Sequence, residues 1–259
     1  MLRRTEGIVL RTTPFGEADL IVTYLTNDFG LIKVFAKSPR KIKSRFGSSL
    51  EPLTQSVISF WGKEDTSLSR LTQADIIHPF KFIRETLNCF MKVTEIIEIT
   101  LNFLPERDAN RNVYLLLLNT LHAVEKNISL SSSAKTGRKA FSGDDIILSH
   151  YKIKFLSLSG FAPKLDSCGR CGNKGTSFYI AHGTVLCEMC AKGIDSPVKI
   201  SPAVLKLYTD LITWDTMRVH RIKPSAILLR DLSHIISAHT KYILTKPLKS
   251  EAFNPVMTQ

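Results

Sequence analysis

Residues 20–36 read LIVTYLTNDFGLIKVFA, and this stretch decides the fold of the first part of the chain. It contains two short runs rich in β-branched and aromatic residues, 20–25 and 31–36, on either side of Asn27-Asp28-Phe29-Gly30. Runs of this kind, bounded by Asn, Asp and Gly, are typical of two strands joined by a tight turn. The sequence therefore predicts a β-hairpin at this position.

Three further runs with the same composition lie within the first eighty residues, at 7–12, 55–61 and 71–77. Five strands in so short a segment leave two exposed edges unless the sheet closes on itself, and exposed edges promote aggregation. A small closed barrel removes both edges. The sequence therefore predicts a small five-stranded closed barrel.

The hydrophobic period changes after His78-Pro79. Apolar residues then recur at spacings of three and four in residues 83–104, 113–124 and 147–158, which predicts amphipathic helices. Two more helices are expected after Ser201-Pro202 and after Lys223-Pro224-Ser225, because serine is a favoured N-cap and proline fits the first helical turn. The serine-rich residues 129–139 predict a loop, and Ser142 is placed to cap the third helix.

Four of the five cysteines form two Cys-x-x-Cys pairs with a fifteen-residue spacer. This spacing is typical of a tetrahedral zinc site, because a two-residue gap lets both thiolates of a pair turn toward one ion. Four sulfur ligands leave no open coordination position, so the zinc would be structural. Two disulfides, an iron–sulfur cluster and an unbound quartet remain as alternatives. The predicted ligands are Cys168, Cys171, Cys187 and Cys190.

These patterns together predict an α+β multidomain protein with an N-terminal five-stranded barrel, an all-α helical domain and an inserted four-cysteine zinc finger. The barrel is expected to be the DNA-binding domain. The predicted boundaries are 1–79 for the barrel, 80–160 for the first helical part, 161–196 for the zinc finger and 197–259 for the second helical part.

The charge indicates a polyanionic partner. The chain has 35 Lys and Arg against 23 Asp and Glu, a net charge of +12, and no acidic residue lies between Phe29 and Leu50. Alternation along the third strand places Lys33, Phe35 and Lys37 on one face, which suits single-stranded DNA because lysines can follow phosphates and a ring can stack on a base. Trp61 could extend this face. The predicted DNA-binding residues are Lys33, Phe35, Lys37, Arg40, Lys41, Lys43, Arg45 and Phe46.

A plainer interpretation of the basic stretch is a solvated loop whose charges maintain solubility, with Phe35 and Phe46 buried in the core. Markers of common catalysts are missing from the sequence: it has no phosphate-binding loop, nucleophile elbow or His-Glu-x-x-His motif. We therefore expect a protein without enzymatic activity. Neither a signal-peptide core nor an apolar run long enough to span a membrane is present, so the cytoplasm, with association to the nucleoid, is the expected location.

The order of these motifs resembles the RecO recombination mediators of bacterial DNA repair. The resemblance covers nearly the whole chain, and its motifs are Glu6-Gly7-Ile8-Val9-Leu10, Gly16-Glu17-Ala18-Asp19, Phe29-Gly30-Leu31, Ala36-Lys37-Ser38-Pro39-Arg40, residues 154–163 and the two cysteine pairs. It implies that the N-terminal barrel is an OB-fold, followed by a helical domain with a zinc finger set into it. The resemblance further implies a protein that binds single- and double-stranded DNA and anneals complementary strands. It also implies contacts with RecR and with the C-terminal tail of single-strand-binding protein, and assistance in loading the recombinase.

Two other functions are compatible with the sequence. A zinc-ribbon scaffold that recruits proteins would owe its charge to solubility and would have no DNA affinity of its own. An enzyme of nucleic-acid metabolism with an unrecognised site would show an activity that a point mutation abolishes.

Overall fold

The computed structural model describes residues 1–39, 46–62, 68–133, 143–175, 177–245 and 248–250, without the side chains of residues 131–133. Contacts divide the chain into two compact units. The first comprises residues 1–90 and 103–125, and the second comprises residues 91–102 and 126–259. The four-segment division expected from the sequence stays a prediction, because contact units do not report which segments fold independently.

Five strands form a closed barrel in the first unit, in the order β1-β2-β3-β5-β4. The long strand β1 pairs with β2 through its second half and with β4 through its first half. A short parallel pairing of β3 with β5 closes the sheet. The predicted five-stranded barrel is therefore confirmed. The strands are β1 Leu2–Phe15, β2 Asp19–Thr26, β3 Gly30–Ala36, β4 Gln55–Trp61 and β5 Ser69–His78.

Along each strand of the barrel, every second side chain points into the interior, and most of these side chains are apolar. In β3, for example, Ile32, Val34 and Ala36 are buried, whereas Lys33 is exposed and Phe35 is half-buried. This alternation follows from the two-residue period of a strand. The core of the barrel consists of Val9, Val22, Tyr24, Ile32, Val34, Ala36, Phe46, Leu50, Ile58, Phe60 and Leu71.

Helices follow the barrel: α1 Lys81–Glu85, α2 Leu87–Phe103 and α3 Arg111–Ser133. The single helix expected from residue 83 onward is in fact two, because Thr86 is extended and ends α1, and its carbonyl accepts the first hydrogen bond of α2 from the Phe90 N–H. The Arg84 guanidinium fastens α1 to the barrel. It donates to the carbonyls of Pro52 and Pro79 and forms an ion pair with Glu51.

The segment between α2 and α3 is joined to the hairpin of β2 and β3. The Arg107 N–H donates to the Leu31 carbonyl at 2.8 Å, and Glu106 forms a parallel bridge with Leu31. Gly30, at φ +63°, permits this approach, since a Cβ at that position would lie 2.0 Å from the Asp108 carbonyl oxygen. Only a glycine fits both the left-handed backbone and the available space.

The second unit contains most of α2, the end of α3, and the helices and small sheet that follow them. Serine caps α5 and α6 as expected: the Ser201 hydroxyl accepts from the Val204 N–H, and the Ser225 hydroxyl accepts from the Leu228 N–H. The elements are α4 Gly143–Leu158, β6 Ser177–Tyr179, β7 Thr184–Leu186, β8 Val198–Lys199, α5 Pro202–Thr213 and α6 Ala226–Leu244, with 3-10 helices at Ile180–His182 and Val219–Arg221.

The loop expected at residues 129–139 was wrong in its first five residues, because α3 continues to Ser133. A helix that is already formed extends at little cost, so serines at its end do not stop it. Residues 134–139 and Ser142 lie outside the described residues. Among the described residues, no helix is both long and apolar enough to cross a membrane.

Two ion pairs and a buried histidine fasten α4 to its neighbours. Lys92 pairs with Asp145, and Lys152 pairs with Glu95, each at 2.5 Å. The fully buried ring of His150 meets the Leu211 carbonyl through Nδ1 at 2.8 Å and the Thr216 hydroxyl through Nε2 at 3.0 Å. Since a carbonyl can only accept, Nδ1 carries the proton and Nε2 accepts from the hydroxyl. Burial lowers the pKa of His150 to about 4, although the bond to Leu211 acts in the opposite direction.

Gly30→Ala should destabilise the barrel far more than Gly16→Ala. Both glycines have φ +63°, but a Cβ at Gly16 meets nothing within 4 Å. The strain of a left-handed alanine should cost about 1 kcal/mol in both variants, and displacement of the 106–109 segment should add at least about 2 kcal/mol for Gly30 alone. Urea unfolding measures the difference. Equal free energies of unfolding would show that the close approach to Asp108 does not constrain the fold.

The free energy of unfolding should fall as the pH drops from 6.5 to about 4. In this window His150 is protonated in the unfolded chain, where its pKa has the ordinary value of 6.5, but stays neutral in the folded protein. Because the unfolded state binds the additional proton, acid favours unfolding. The contribution is at most about 3 kcal/mol. His150→Asn should be less stable than the wild type at pH 7.5, but its free energy of unfolding should fall much less as the pH is lowered. Chemical denaturation at several pH values measures both effects. His220→Asn is the matched control, because His220 is exposed, and its free energy of unfolding should fall with pH as in the wild type.

Candidate nucleic-acid interface and metal centre

A row of side chains crosses the outer face of the barrel near one end. Strand register places Phe35 opposite Arg70, Arg70 opposite Trp61, and Trp61 opposite Leu2. Residues directly opposite each other on paired strands share a face. Trp61 is 61% exposed, Arg70 and Leu2 are exposed, and Phe35 is half-buried. We call these four residues the barrel-face row.

An additional aromatic ring and further cations border this row. Phe15 packs edge-on against Phe35, with ring centroids 5.9 Å apart. Lys33 is an exposed position of β3 on the same face as Phe35, and the exposed Lys37 follows directly after the end of β3. Arg11, also exposed, lies opposite Thr23, which in turn lies opposite Lys33. The outer face therefore combines aromatic rings with positive charge.

The charge of Lys33 is partly compensated. Its Nζ lies 2.5 Å from a carboxylate oxygen of Glu106, and the two side chains are 46% and 43% exposed. An ion pair this exposed contributes little to stability and exchanges readily with other charged groups. Lys33 can therefore meet a phosphate only in competition with Glu106.

The structure places the other predicted DNA-binding residues unequally. Phe46 is only 3% exposed and belongs to the barrel core, so its ring has no face for a base and the prediction for Phe46 was wrong. For Phe46 the alternative interpretation, in which the ring is buried in the core, is therefore correct. The remaining predicted cations lie outside the described residues: Arg40, Lys41, Lys43 and Arg45.

Arg70, Arg11 and Phe15 were missed by sequence reasoning. They are far from the basic stretch in sequence, and only the register of β1, β3 and β5 brings them to the same face. A usable signal existed in Trp61, because a tryptophan at the end of a strand, next to a polar segment, is often exposed and functional.

The four cysteines of the two pairs gather in the second unit. Their Sγ atoms all lie within 4.8 Å of one another, and those of Cys171 and Cys187 are 3.5 Å apart. Cys168 is buried, whereas Cys171 is exposed and the other two are intermediate. The two Cys-x-x-Cys motifs are brought together by β6 and β7, which lie between them in sequence and form an antiparallel hairpin. The arrangement could hold one metal ion.

Backbone geometry around the sulfurs is that of two tight turns. The Gly172 N–H donates to the Cys168 carbonyl at 2.9 Å, and the Ala191 N–H donates to the Cys187 carbonyl at 3.0 Å. Gly172 adopts φ +77°, which favours glycine. The first turn also lies close against β7, since a Cβ at Gly169 would lie 2.6 Å from the Thr184 side chain.

The electrostatics of the cluster suit a thiophilic cation. A hydrogen bond from the Cys187 backbone lowers the pKa of the Cys168 thiol to about 6, so this sulfur readily carries negative charge. Hydrogen bonds with Cys171 and Cys187 raise the pKa of Cys190 to about 12. Four thiols this close together cannot all lose their protons without a metal, because the thiolates would repel one another. A divalent ion compensates the negative charge and allows all four to ionise. The donor set thus fits zinc.

A closed OB-type barrel, a helical part and a four-cysteine cluster with zinc-finger spacing define a multidomain protein of the OB-fold class. Two family models match the chain: Recombination protein O N terminal over residues 1–80 and Recombination protein O C terminal over residues 84–252. The chain therefore belongs to the RecO family of DNA repair proteins.

Curated relatives agree with this assignment. The DNA repair protein RecO of Thermodesulfovibrio yellowstonii is 41% identical over 246 residues, which cover 93% of this chain and 92% of the relative. The proteins of the same name from Dehalococcoides mccartyi strain 195 and Symbiobacterium thermophilum are 29% and 28% identical. These alignments cover 95% and 97% of this chain, and 92% and 96% of the relatives.

Proposed function

We propose that this chain binds single-stranded DNA on the outer face of its barrel. The observation that carries the proposal is the barrel-face row, in which Arg70 lies between Phe35 and Trp61. A single strand presents alternating bases and phosphates, so rings that stack and cations that neutralise are the complementary set. Arg11 extends the positive charge along the same face, and the exposed Lys37 follows directly after β3.

Recognition of this kind is independent of base sequence. Aromatic faces accept any base, and lysine and arginine contact the backbone, so the base edges remain available for pairing. Neutralised phosphates on two bound strands repel each other less. Annealing of complementary strands follows from these two properties and needs no bond-making chemistry. Double-stranded DNA would bind through its phosphates alone, and therefore more salt-sensitively.

Membership of the RecO family supports the wider role. We propose that the chain acts without catalysis as a recombination mediator, with RecR and the C-terminal tail of single-strand-binding protein as protein partners, and assists recombinase loading. A cytoplasmic, nucleoid-associated location belongs to the same proposal, because its substrate is DNA. The net charge of +12 favours a function in DNA binding over that of a scaffold that binds only proteins.

We further propose that one structural zinc ion is held by Cys168, Cys171, Cys187 and Cys190. The support is the approach of all four sulfurs and the turn geometry around them. When bound, the ion would supply a cross-link and charge compensation. The three short strands β6, β7 and β8 form too small a sheet for independent stability, which explains the need for such a link.

DNA binding by the barrel face can be tested by fluorescence anisotropy of labelled single-stranded DNA over a range of salt concentrations. Lys37→Ala with Arg70→Ala should reduce the slope of log K against log salt by about 1.4, because two phosphate contacts are lost. Phe35→Ala and Trp61→Ala should each weaken binding by about 1–3 kcal/mol with the slope unchanged.

The matched control is Lys81→Ala with Arg111→Ala, which removes two exposed cations from helices of the same unit. If this control lost as much slope as the barrel-face variant, net charge would explain binding and the interface would be wrong. Absence of binding at low salt would favour the zinc-ribbon scaffold. Arg40→Ala with Lys41→Ala and Lys43→Ala tests the predicted loop contacts in the same assay.

Zinc binding can be tested by metal analysis of protein purified under reducing conditions. The wild type should contain close to one zinc ion per chain, and Cys187→Ser should lose it and become sensitive to proteolysis in residues 161–196. Cys89→Ala is the control, because Cys89 is a buried cysteine outside the cluster and should leave the zinc content unchanged. Wild-type protein that takes up no zinc when it is supplied would contradict the proposal.

A further inference from the structure

Residues 214–223 connect α5 to α6 in the second unit and carry a cluster of exposed cations. The cations are Arg218, Arg221 and Lys223, and the only acidic residue of the segment is Asp215. The whole segment lies within the described range 177–245. We call residues 214–223 the connecting basic segment. Three cations against one carboxylate give it a net positive charge at neutral pH.

The charge of these cations is not compensated within the described part of the chain. None of Arg218, Arg221 and Lys223 takes part in the ion pairs found there. The Asp215 carboxylate instead accepts from the Met217 N–H at 2.8 Å. An anion can therefore approach the cations of the segment without first displacing a carboxylate, whereas at Lys33 it must compete with Glu106.

The backbone of the segment is fixed by its own hydrogen bonds and by α4. Val219 is fully buried, and the Thr216 hydroxyl bonds to Nε2 of His150, a residue of α4, at 3.0 Å. The Asp215 carbonyl accepts from the N–H groups of Arg218 and Val219 at 3.0 and 3.1 Å. Because the backbone is already ordered, little conformational entropy is lost when a ligand binds.

The two arginines leave the backbone on the same side. The Arg221 N–H donates to the Arg218 carbonyl at 3.0 Å, which is the hydrogen bond of the 3-10 helix Val219–Arg221. Side chains three residues apart in a 3-10 helix eclipse one another and are separated by about 6 Å along the axis. Each guanidinium offers a planar fork of donors that matches a phosphate. The pair can therefore contact two phosphates of one strand.

An exposed ring lies at the start of the segment. Trp214 ends α5 and is 39% exposed, and Met217 is exposed to the same extent. An exposed aromatic ring together with cations is typical of surfaces that bind single strands, because unpaired bases stack on the ring while phosphates meet the cations. This composition favours a single-stranded nucleic acid as the ligand.

We propose that the connecting basic segment is a second DNA-binding surface, which holds a strand other than the one on the barrel face. This inference rests on the proposed DNA binding and deepens it. A chain with one surface binds one strand, whereas a chain with two surfaces brings two strands onto one molecule, as annealing requires. The cations of the segment neutralise phosphates of the second strand, so the repulsion between the strands falls.

Bridging of two strands that cannot pair tests the inference. Oligothymidine of ~15 nucleotides, near the upper site size of an OB fold, is tethered sparsely to beads, and a fluorescent oligothymidine of the same length is added with the full-length protein. The wild type should retain the fluorescent strand on the beads. Arg218→Ala with Arg221→Ala should reduce the retained label about tenfold at low salt, because two phosphate contacts are lost. This variant should still bind the tethered strand through the barrel face.

Two further variants separate a lost contact from a damaged fold. Arg218→Lys with Arg221→Lys preserves both charges and should retain most of the bridging. Lys192→Ala with Lys199→Ala is the matched control, because it removes two exposed cations of the same unit outside the segment, and it should bridge strands like the wild type. Thermal unfolding of each variant verifies that it is folded.

The possible outcomes distinguish this inference from the proposed function. Normal bridging by Arg218→Ala with Arg221→Ala would overturn the inference, because the second strand would then be held elsewhere or by a second copy of the chain. A wild type that binds the tethered strand but retains no label would also overturn it. A wild type that binds no strand even at low salt would contradict the proposed function itself.

Two other results would reassign one of the surfaces. The barrel-face variant, Lys37→Ala with Arg70→Ala, should also lose bridging, and if it bridged strands normally the proposed barrel interface would be wrong. If Arg218→Ala with Arg221→Ala bridged strands normally but lost binding to an oligoglutamate peptide, the inference would be overturned and the segment would belong to an acidic protein partner.

Discussion

Closure of the barrel is the constraint on which the first unit depends. Strand β1 is long enough to pair with β2 along one half and with β4 along the other, so it belongs to both sides of the sheet. The parallel contact between β3 and β5 then joins the two sides through only two residue pairs. Closure therefore pairs every strand on both sides over at least part of its length, which shortens the edges that could associate with another chain.

The same closure creates the candidate interface. Phe35, Arg70 and Trp61 lie on three strands that are distant in sequence, and the register of the closed sheet aligns them. A shift of one residue in β5 would turn Arg70 inward and bring its neighbours outward, since side chains alternate along a strand. The interface therefore depends on the precision of the fold as well as on the identity of its residues.

The cysteine-bearing part of the second unit depends on a different constraint, the convergence of two tight cysteine turns. Cys168, Tyr179 and Leu186 form a small buried cluster, and Cys187 and Cys190 pack against it. A core of this size contributes little, because the free energy of burial grows with the apolar area removed from water. Additional support comes from the His239 ring, which bonds to the Phe161 carbonyl at 2.8 Å and packs edge-on against Phe178. A metal cross-link would complete this arrangement.

The sequence by itself determined most of the elements that form and which residues can bind a metal. Strand alternation, helical periods, serine caps and Cys-x-x-Cys spacing are local properties, so the five strands, α5, α6 and the four cysteines could be predicted from residues close together in the chain. Only the tertiary structure decided that Phe46 is core while Phe35 reaches the surface, and that Arg70 joins the row. These facts depend on register and closure, which bring together residues far apart in sequence, and no local pattern encodes such distances.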